Sequence, residues 1–159
     1  RIPYSLMLPT SVVRRLNIGR YAGMSYANGT AYVLGNSGNL SYNSAINDGY
    51  GYGDFDGNLS LNAGNLTINV PIIQAASSTV VLGGNTTLSA QSISAGKLLL
   101  RDGSFNLSNV SNSVGTLAAT NVTSLSYVNN GTLTLGSAGG VDGITATGAV
   151  AIGTQTLAN

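Results

Sequence analysis

The amino-acid sequence predicts an all-β protein whose short strands stack as the coils of a parallel β-helix. Apolar side chains alternate with small polar ones in short phrases bounded by Asn or Gly, which recur at residues 58–62, 65–69, 106–109 and 132–136. A period of two is typical of half-buried strands, because successive strand side chains point to opposite faces. Five leucines then recur after 21, 18, 17 and 18 residues: Leu61, Leu82, Leu100, Leu117 and Leu135. A repeat of about twenty residues that holds two or three short strands has the size of one β-helix coil.

The first third of the chain has a different character. Seven of the eight tyrosines lie within residues 1–52, and four of the six basic residues lie within the first twenty. We place a boundary near residue 57. Residues 1–56 are predicted to form an N-terminal arm and an irregular, Tyr-rich β region that serves as a cap or an assembly contact, and residues 57–159 to form the coils.

Turn-forming residues divide the first third into smaller elements. Pro3 and Pro9 favour an extended arm or edge strand over residues 1–16, because proline cannot donate to a sheet ladder. Strands are predicted at 24–26, 31–34 and 39–42, separated by turn formers at 28–29 and 35–38. Residues 47–57 contain too much glycine to pack as a strand and are predicted to be a loop.

The remainder of the chain contains closely spaced short strands. Alternation and flanking turn residues predict them at 58–62, 65–70, 79–83, 86–90, 97–101, 104–107, 114–118, 122–128, 132–136, 144–147 and 149–152.

The low charge content excludes several classes of function. Five acidic residues, all Asp, oppose six basic ones, and a net charge of +1 gives no reason to expect nucleic acid as a partner. The chain has no His, no Glu and no Cys, and so lacks the usual general base and the usual zinc ligands. Asp54 and Asp56 are the closest carboxylate pair, but no Arg or Lys lies near them in sequence. We therefore predict that the protein is not an enzyme.

The composition also indicates where the protein works. A cysteine-free chain rich in Gly, Asn, Ser and Thr fits a secreted protein of the bacterial cell surface. The sequence starts at Arg1 without a signal-peptide pattern, so we expect a processed product or a fragment.

Six phrases resemble the shaft of filamentous-haemagglutinin-like exoproteins, the large bacterial surface proteins of the two-partner secretion pathway. The phrases lie at residues 93–101, 105–109, 114–119, 125–127, 131–136 and 141–148. The resemblance covers residues 57–157 and implies a right-handed parallel β-helix, export through an outer-membrane pore partner, and a role in adhesion or biofilm formation. The Asn-Pro-Asn motifs of that family's secretion domain are missing, so the resemblance implies shaft rather than export signal.

The chain carries nine Asn-x-Ser/Thr sequons, each of which is a candidate glycosylation site. They begin at Asn28, Asn39, Asn58, Asn65, Asn85, Asn106, Asn109, Asn121 and Asn130. A turn Asn followed by an inward aliphatic residue and an outward Ser or Thr produces the same pattern for structural reasons alone. Both interpretations place the Asn away from the apolar row.

Asp48, Asp54 and Asp56 form a candidate calcium site. They supply oxygen ligands beside a tight glycine turn, as calcium requires. An EF-hand loop that starts at Asp54 would need Glu where Asn65 stands, and a solvated Asp-Gly turn explains the same residues. No other cofactor is predicted.

Two functions follow as hypotheses. In the first, the chain is adhesin shaft that holds a binding tip away from the cell and contacts a carbohydrate or protein of the host or matrix. In the second, it is a self-assembling subunit of an extracellular filament, and residues 1–16 add a strand to a neighbour. Open β-helix ends are unpaired edges, so both hypotheses predict continuing chain or identical subunits at both ends.

Overall fold

A computed structural model of the chain describes residues 24–34, 38–46, 55–86 and 90–158. These ranges contain strands and turns but no helix, and hence no helix long and apolar enough to cross a membrane. The predicted arm at 1–16, most of the predicted loop at 47–57 and most of the predicted strand at 86–90 lie outside the described residues.

The strands within these ranges are β1 (Met24–Ala27), β2 (Thr30–Leu34), β3 (Asn39–Tyr42), β4 (Asn58–Ile68), β5 (Ile72–Ile73), β6 (Thr79–Thr86), β7 (Ile93–Leu107), β8 (Ser113–Leu135), β9 (Ser137–Ala138), β10 (Val141–Asp142), β11 (Ile144–Ala146) and β12 (Val150–Ala158). β2, β4, β6, β7 and β8 pair in that order, each parallel to the next. The predicted all-β parallel β-helix is thereby confirmed, as a solenoid of about four turns.

Each coil has three sides, which we name A, B and C. Side A stacks residues 30–34, 58–62, 79–83, 97–101 and 116–120. Side B includes 39–42 on 65–68, and 104–107 on 124–127, followed by 150–152. Side C stacks 72–73, 93–94 and 113. β4, β7 and β8 are long because each strand continues around a corner, and register shifts between Asn62 and Asn65 and between Gly103 and Ser104 mark two of these corners.

The inward rows of these sides form the core. The stacking of their residues differs from the predicted leucine repeat. Leu61, Leu82 and Leu100 stack directly, but the next residue in their row is Ala119. Leu117 stacks instead on Leu98. Inward positions two residues apart look the same in an alternating strand. The spacing of leucines along the sequence therefore does not show which of the two positions stacks on a given leucine of the previous coil.

Parallel stacking begins upstream of the boundary predicted near residue 57. β2 and β3 both pair in parallel with β4, so residues 30–34 and 39–42 already belong to a coil. Their inward side chains, Ala31, Val33, Leu40 and Tyr42, are buried. The tyrosines made the strand pattern of this coil hard to recognise in the sequence. Tyr42 takes an inward position that aliphatic residues hold in later coils, whereas Tyr32 points outward.

The corner between sides A and B uses a left-handed backbone. Asp102 and Asn121 have φ values of 60° and 53°, and Gly84 in the preceding coil has a φ of 109°. Asn and Asp tolerate this region better than other non-glycine residues. Asn121 Nδ2 donates to Asp102 Oδ1 at 3.0 Å, which links two successive corners through their side chains.

A short antiparallel hairpin, β9–β10, folds over the outside of side A. Leu99 and Ala118 point outward there, yet both are buried together with Ala138 in a small second apolar cluster. The hairpin thus explains the unbroken Leu98-Leu99-Leu100 run, since the outer leucine is covered as well as the two inner ones.

We expect Leu99→Ala to lower the free energy of unfolding by about 2–5 kcal/mol, the usual cost of a cavity left by a buried leucine. The matched control is Leu34→Ala, because Leu34 also points outward from side A but is 55% exposed. The control should change stability by less than about 0.5 kcal/mol. Urea denaturation measures both, and equal losses would show that the hairpin does not bury Leu99 in solution.

Candidate binding surface

The candidate calcium site is only partly within the described residues. Asp48 and Asp54 lie outside them, whereas Asp56 is exposed and its backbone carbonyl accepts a hydrogen bond from Ala75 N at 2.8 Å. The described part of the chain contains no group of three His, Cys, Asp or Glu residues placed to hold a metal ion. Calcium binding therefore stays a prediction, and a melting temperature that EDTA leaves unchanged would contradict it.

None of the nine sequon asparagines is buried. Asn28 occupies the turn between β1 and β2 at a φ of 51°. Two others link coils through their side-chain oxygens: Asn58 Oδ1 accepts from Thr79 N and Asn85 Oδ1 accepts from Ser104 N, each at 2.8 Å. These bonds give the turn asparagines a structural role.

Further sequon side chains form local or coil-to-coil bonds. Asn65 Nδ2 donates to Asn39 Oδ1 at 3.0 Å. Asn109 Oδ1 accepts from Ser111 N at 2.9 Å, and Asn106 Oδ1 accepts from Ser108 Oγ at 3.1 Å. The Asn130 backbone N–H donates to the Asn112 carbonyl at 2.6 Å. Glycosylation stays a prediction, which intact-mass measurement tests through increments of one hexose.

A polar network inside the solenoid was not predicted from the sequence. Asn129 Oδ1 accepts from Tyr127 OH at 2.6 Å and from Val114 N at 2.9 Å. Asn112 Oδ1 accepts from Ile93 N at 2.8 Å. Both asparagines are buried and replace strand ladder bonds at a corner after side B. An Asn shortly after four of the side-B strands, as at Asn43 and Asn69, was the available signal.

Burial raises the pKa of the Tyr127 phenol above its ordinary value. A raised folded-state pKa means that the native state keeps the proton longer than the unfolded chain does. Stability is then fully present below the ordinary tyrosine pKa of about 10 and is lost as pH rises above it.

We expect the free energy of unfolding to fall by about 1.4 kcal/mol per pH unit above pH 10 through this one group. Tyr127→Phe should remove that part of the slope, although it also loses the bond to Asn129. Urea denaturation at a series of pH values measures the slope. An identical slope in the phenylalanine variant would assign the alkaline loss to other groups.

An uncharged polar groove runs across the coils along side C. It has a volume of about 470 Å³ and is lined by Gln74, Ala76, Ser94, Ala95, Gly96, Ser113, Val114, Gly115, Asn130 and Thr132. Ser94 pairs directly with Ser113, so their hydroxyls stand on neighbouring coils. A smaller open depression of about 300 Å³ lies at Thr120, Asn121 and residues 145–147.

Close backbone packing keeps side chains out of one wall of this groove. A Cβ added at Gly96 would lie 2.1 Å from the Ala76 carbonyl oxygen, and one at Gly115 would lie 2.9 Å from the Gly96 carbonyl oxygen. Both distances are too short for a side chain, so these positions stay bare. The wall is backbone, and the chemistry of the groove comes from hydroxyls and amides.

The chain matches no family model, no curated protein and no solved structure.

Proposed function

We propose that this chain is a length of shaft from a secreted bacterial adhesin of the filamentous-haemagglutinin-like kind. Its role is mechanical and adhesive rather than enzymatic: stacked coils form a rigid rod that holds binding surfaces away from the cell, in adhesion or biofilm formation. Export through an outer-membrane pore partner belongs to the same proposal. The resemblance at residues 93–148 and the parallel stacking of coils support it.

The observation that carries the proposal is the open core at the C-terminal end of the solenoid. Val150 stacks on Leu125, and Ile152 stacks on Tyr127. Leu125 and Tyr127 are buried, whereas Val150 is 42% exposed and Ile152 is only half-buried. No described side chain covers this last apolar row, and an uncovered row of this kind favours further coils stacked on it.

The N-terminal end differs from the C-terminal end. β1 folds back antiparallel onto β2 and occupies the edge that a preceding coil would use on side A. The first inward residues, Ala31 and Val33, are fully buried. The covered side-A edge of β2 disfavours copies stacked end to end through side A.

Electron microscopy and sedimentation velocity of the isolated chain test the proposal. We expect single short particles, or irregular association through the open end. Regular fibres with a subunit repeat would overturn the shaft in favour of the filament subunit, above all if deletion of residues 1–16 abolished them.

A matched pair of variants assigns any irregular association to the open end. Val150→Lys places a charge on the last apolar row and should suppress association. Val110→Lys is the control, because Val110 is 73% exposed and lies in the turn between β7 and β8. Equal effects of the two variants would count against the open end as the site of contact.

A further inference from the structure

We propose that the side-C groove binds a neutral linear polysaccharide that lies along the solenoid axis. The inference deepens the adhesive part of the proposed function and rests on it. It assigns the binding residues, chiefly Gln74, Ser94, Ser113 and Thr132, and the chemical class of the ligand.

A buried side-chain amide at the groove has one unsatisfied atom. Gln74 lines the groove and is only 8% exposed. Its Nε2 donates to the Phe55 carbonyl at 3.1 Å and to the Gly57 carbonyl at 2.7 Å. No donor for its Oε1 is present among the described residues. Buried polar atoms are nearly always satisfied, so an acceptor left over at a groove indicates a hydroxyl or N–H donor supplied from outside.

A row of hydroxyls also lines the groove. Ser94 and Ser113 pair on adjacent coils, and Thr132 lies along the same groove in the following coil. Within the described part of the chain these three hydroxyls make no hydrogen bonds to protein groups. A hydroxyl both donates and accepts, and so do the hydroxyls of a sugar.

The charge and shape of the groove also favour a neutral polymer. No charged side chain lines the groove, which disfavours anionic polymers, whose recognition relies on Lys and Arg. Coils follow one another at a strand separation of about 4.8 Å, so Ser94, Ser113 and Thr132 place hydroxyls on three successive coils. A polymer with regularly spaced hydroxyls can contact successive coils, whereas a compact ligand would use only one.

Isothermal titration calorimetry of the whole chain with cellohexaose, chitohexaose and hexagalacturonate tests this inference. We expect binding of at least one neutral hexasaccharide and none of the anionic one. Ser94→Ala with Ser113→Ala should weaken that binding about thirtyfold, since the variant loses two hydrogen bonds of roughly 1 kcal/mol each and every ~1.4 kcal/mol is a factor of ten. Thermal melting of the same variant establishes that the solenoid is intact.

The control removes two hydroxyls from another side. Ser41 and Ser126 point outward from side B, so Ser41→Ala with Ser126→Ala should leave the affinity unchanged. The inference is overturned if the wild-type chain binds neither neutral hexasaccharide, if it binds only hexagalacturonate, or if the side-C variant binds as tightly as the wild type or no more weakly than the side-B variant. None of these outcomes tests the shaft proposal, because electron microscopy and sedimentation velocity of the isolated chain measure its assembly and not sugar binding.

Discussion

Gly84→Ala is expected to lower the free energy of unfolding by about 3 kcal/mol or more, through backbone strain and overpacking together. Gly84 lies at the corner between sides A and B with a φ of 109°. A Cβ there would stand 1.6 Å from the carbonyl oxygen of Ala63, in the coil below. That oxygen belongs to the backbone and cannot move aside without separating two coils. Urea denaturation measures the loss.

Gly131→Ala separates the two causes. Gly131 has a similar φ of 97°, but a Cβ there would meet no atom within 4 Å. We expect this control to lose only about 1–2 kcal/mol, the cost of a left-handed conformation for an L-residue. Similar losses for both variants would mean that the coils at Gly84 separate easily, and that close stacking does not maintain the corner.

The local pattern predicted the strands and the class of fold because both depend on the order of adjacent residues. Alternation at residues 58–62 and 97–101 places side chains on two faces whatever lies beyond them. The local pattern does not determine the register between coils. Leu117 follows Leu98 rather than Leu100, and only contacts between residues about nineteen positions apart decide this.

Features that depend on two distant segments were not predictable from the sequence. In the sequence, Leu99 is one more strand leucine, and the residues that cover it belong to β9–β10, some forty residues later. The groove on side C likewise forms where Gly96 and Gly115 pack against neighbouring backbone. In the sequence these glycines have the same appearance as turn glycines.

Among the candidate site residues, too, local features could be predicted from the sequence, whereas contacts between coils could not. The nine sequons were read from a three-residue pattern, and the structure gives Asn58 and Asn85 bonds to the next coil that the pattern did not contain. No pattern in the sequence marks Gln74 as a candidate site residue. Its importance comes from burial and from the carbonyls of Phe55 and Gly57, which are separated from it by most of a coil.

Coils contact only their neighbours, so damage to one polar corner should act on the two coils that share it. Asn129→Ala is expected to lower the free energy of unfolding by about 3–5 kcal/mol, because buried groups left without partners each cost about 1–3 kcal/mol. The change orphans Val114 N and Tyr127 OH, which donate to Oδ1. It also removes the Nδ2 donor to the carbonyls of Val114 and Thr132, at 3.2 and 3.4 Å. Chemical denaturation measures the loss.

Asn65→Ala is the matched control, since it removes the same side chain from an exposed corner. Asn65 Nδ2 makes one side-chain bond, to Asn39 Oδ1 at 3.0 Å, and water can replace it. We expect a loss below about 1 kcal/mol. If the two alanine variants lost the same stability, Asn129 would act as an ordinary turn residue. A large loss at Asn129 alone would instead mean that buried asparagines, rather than strand pairing, close the corners after side B.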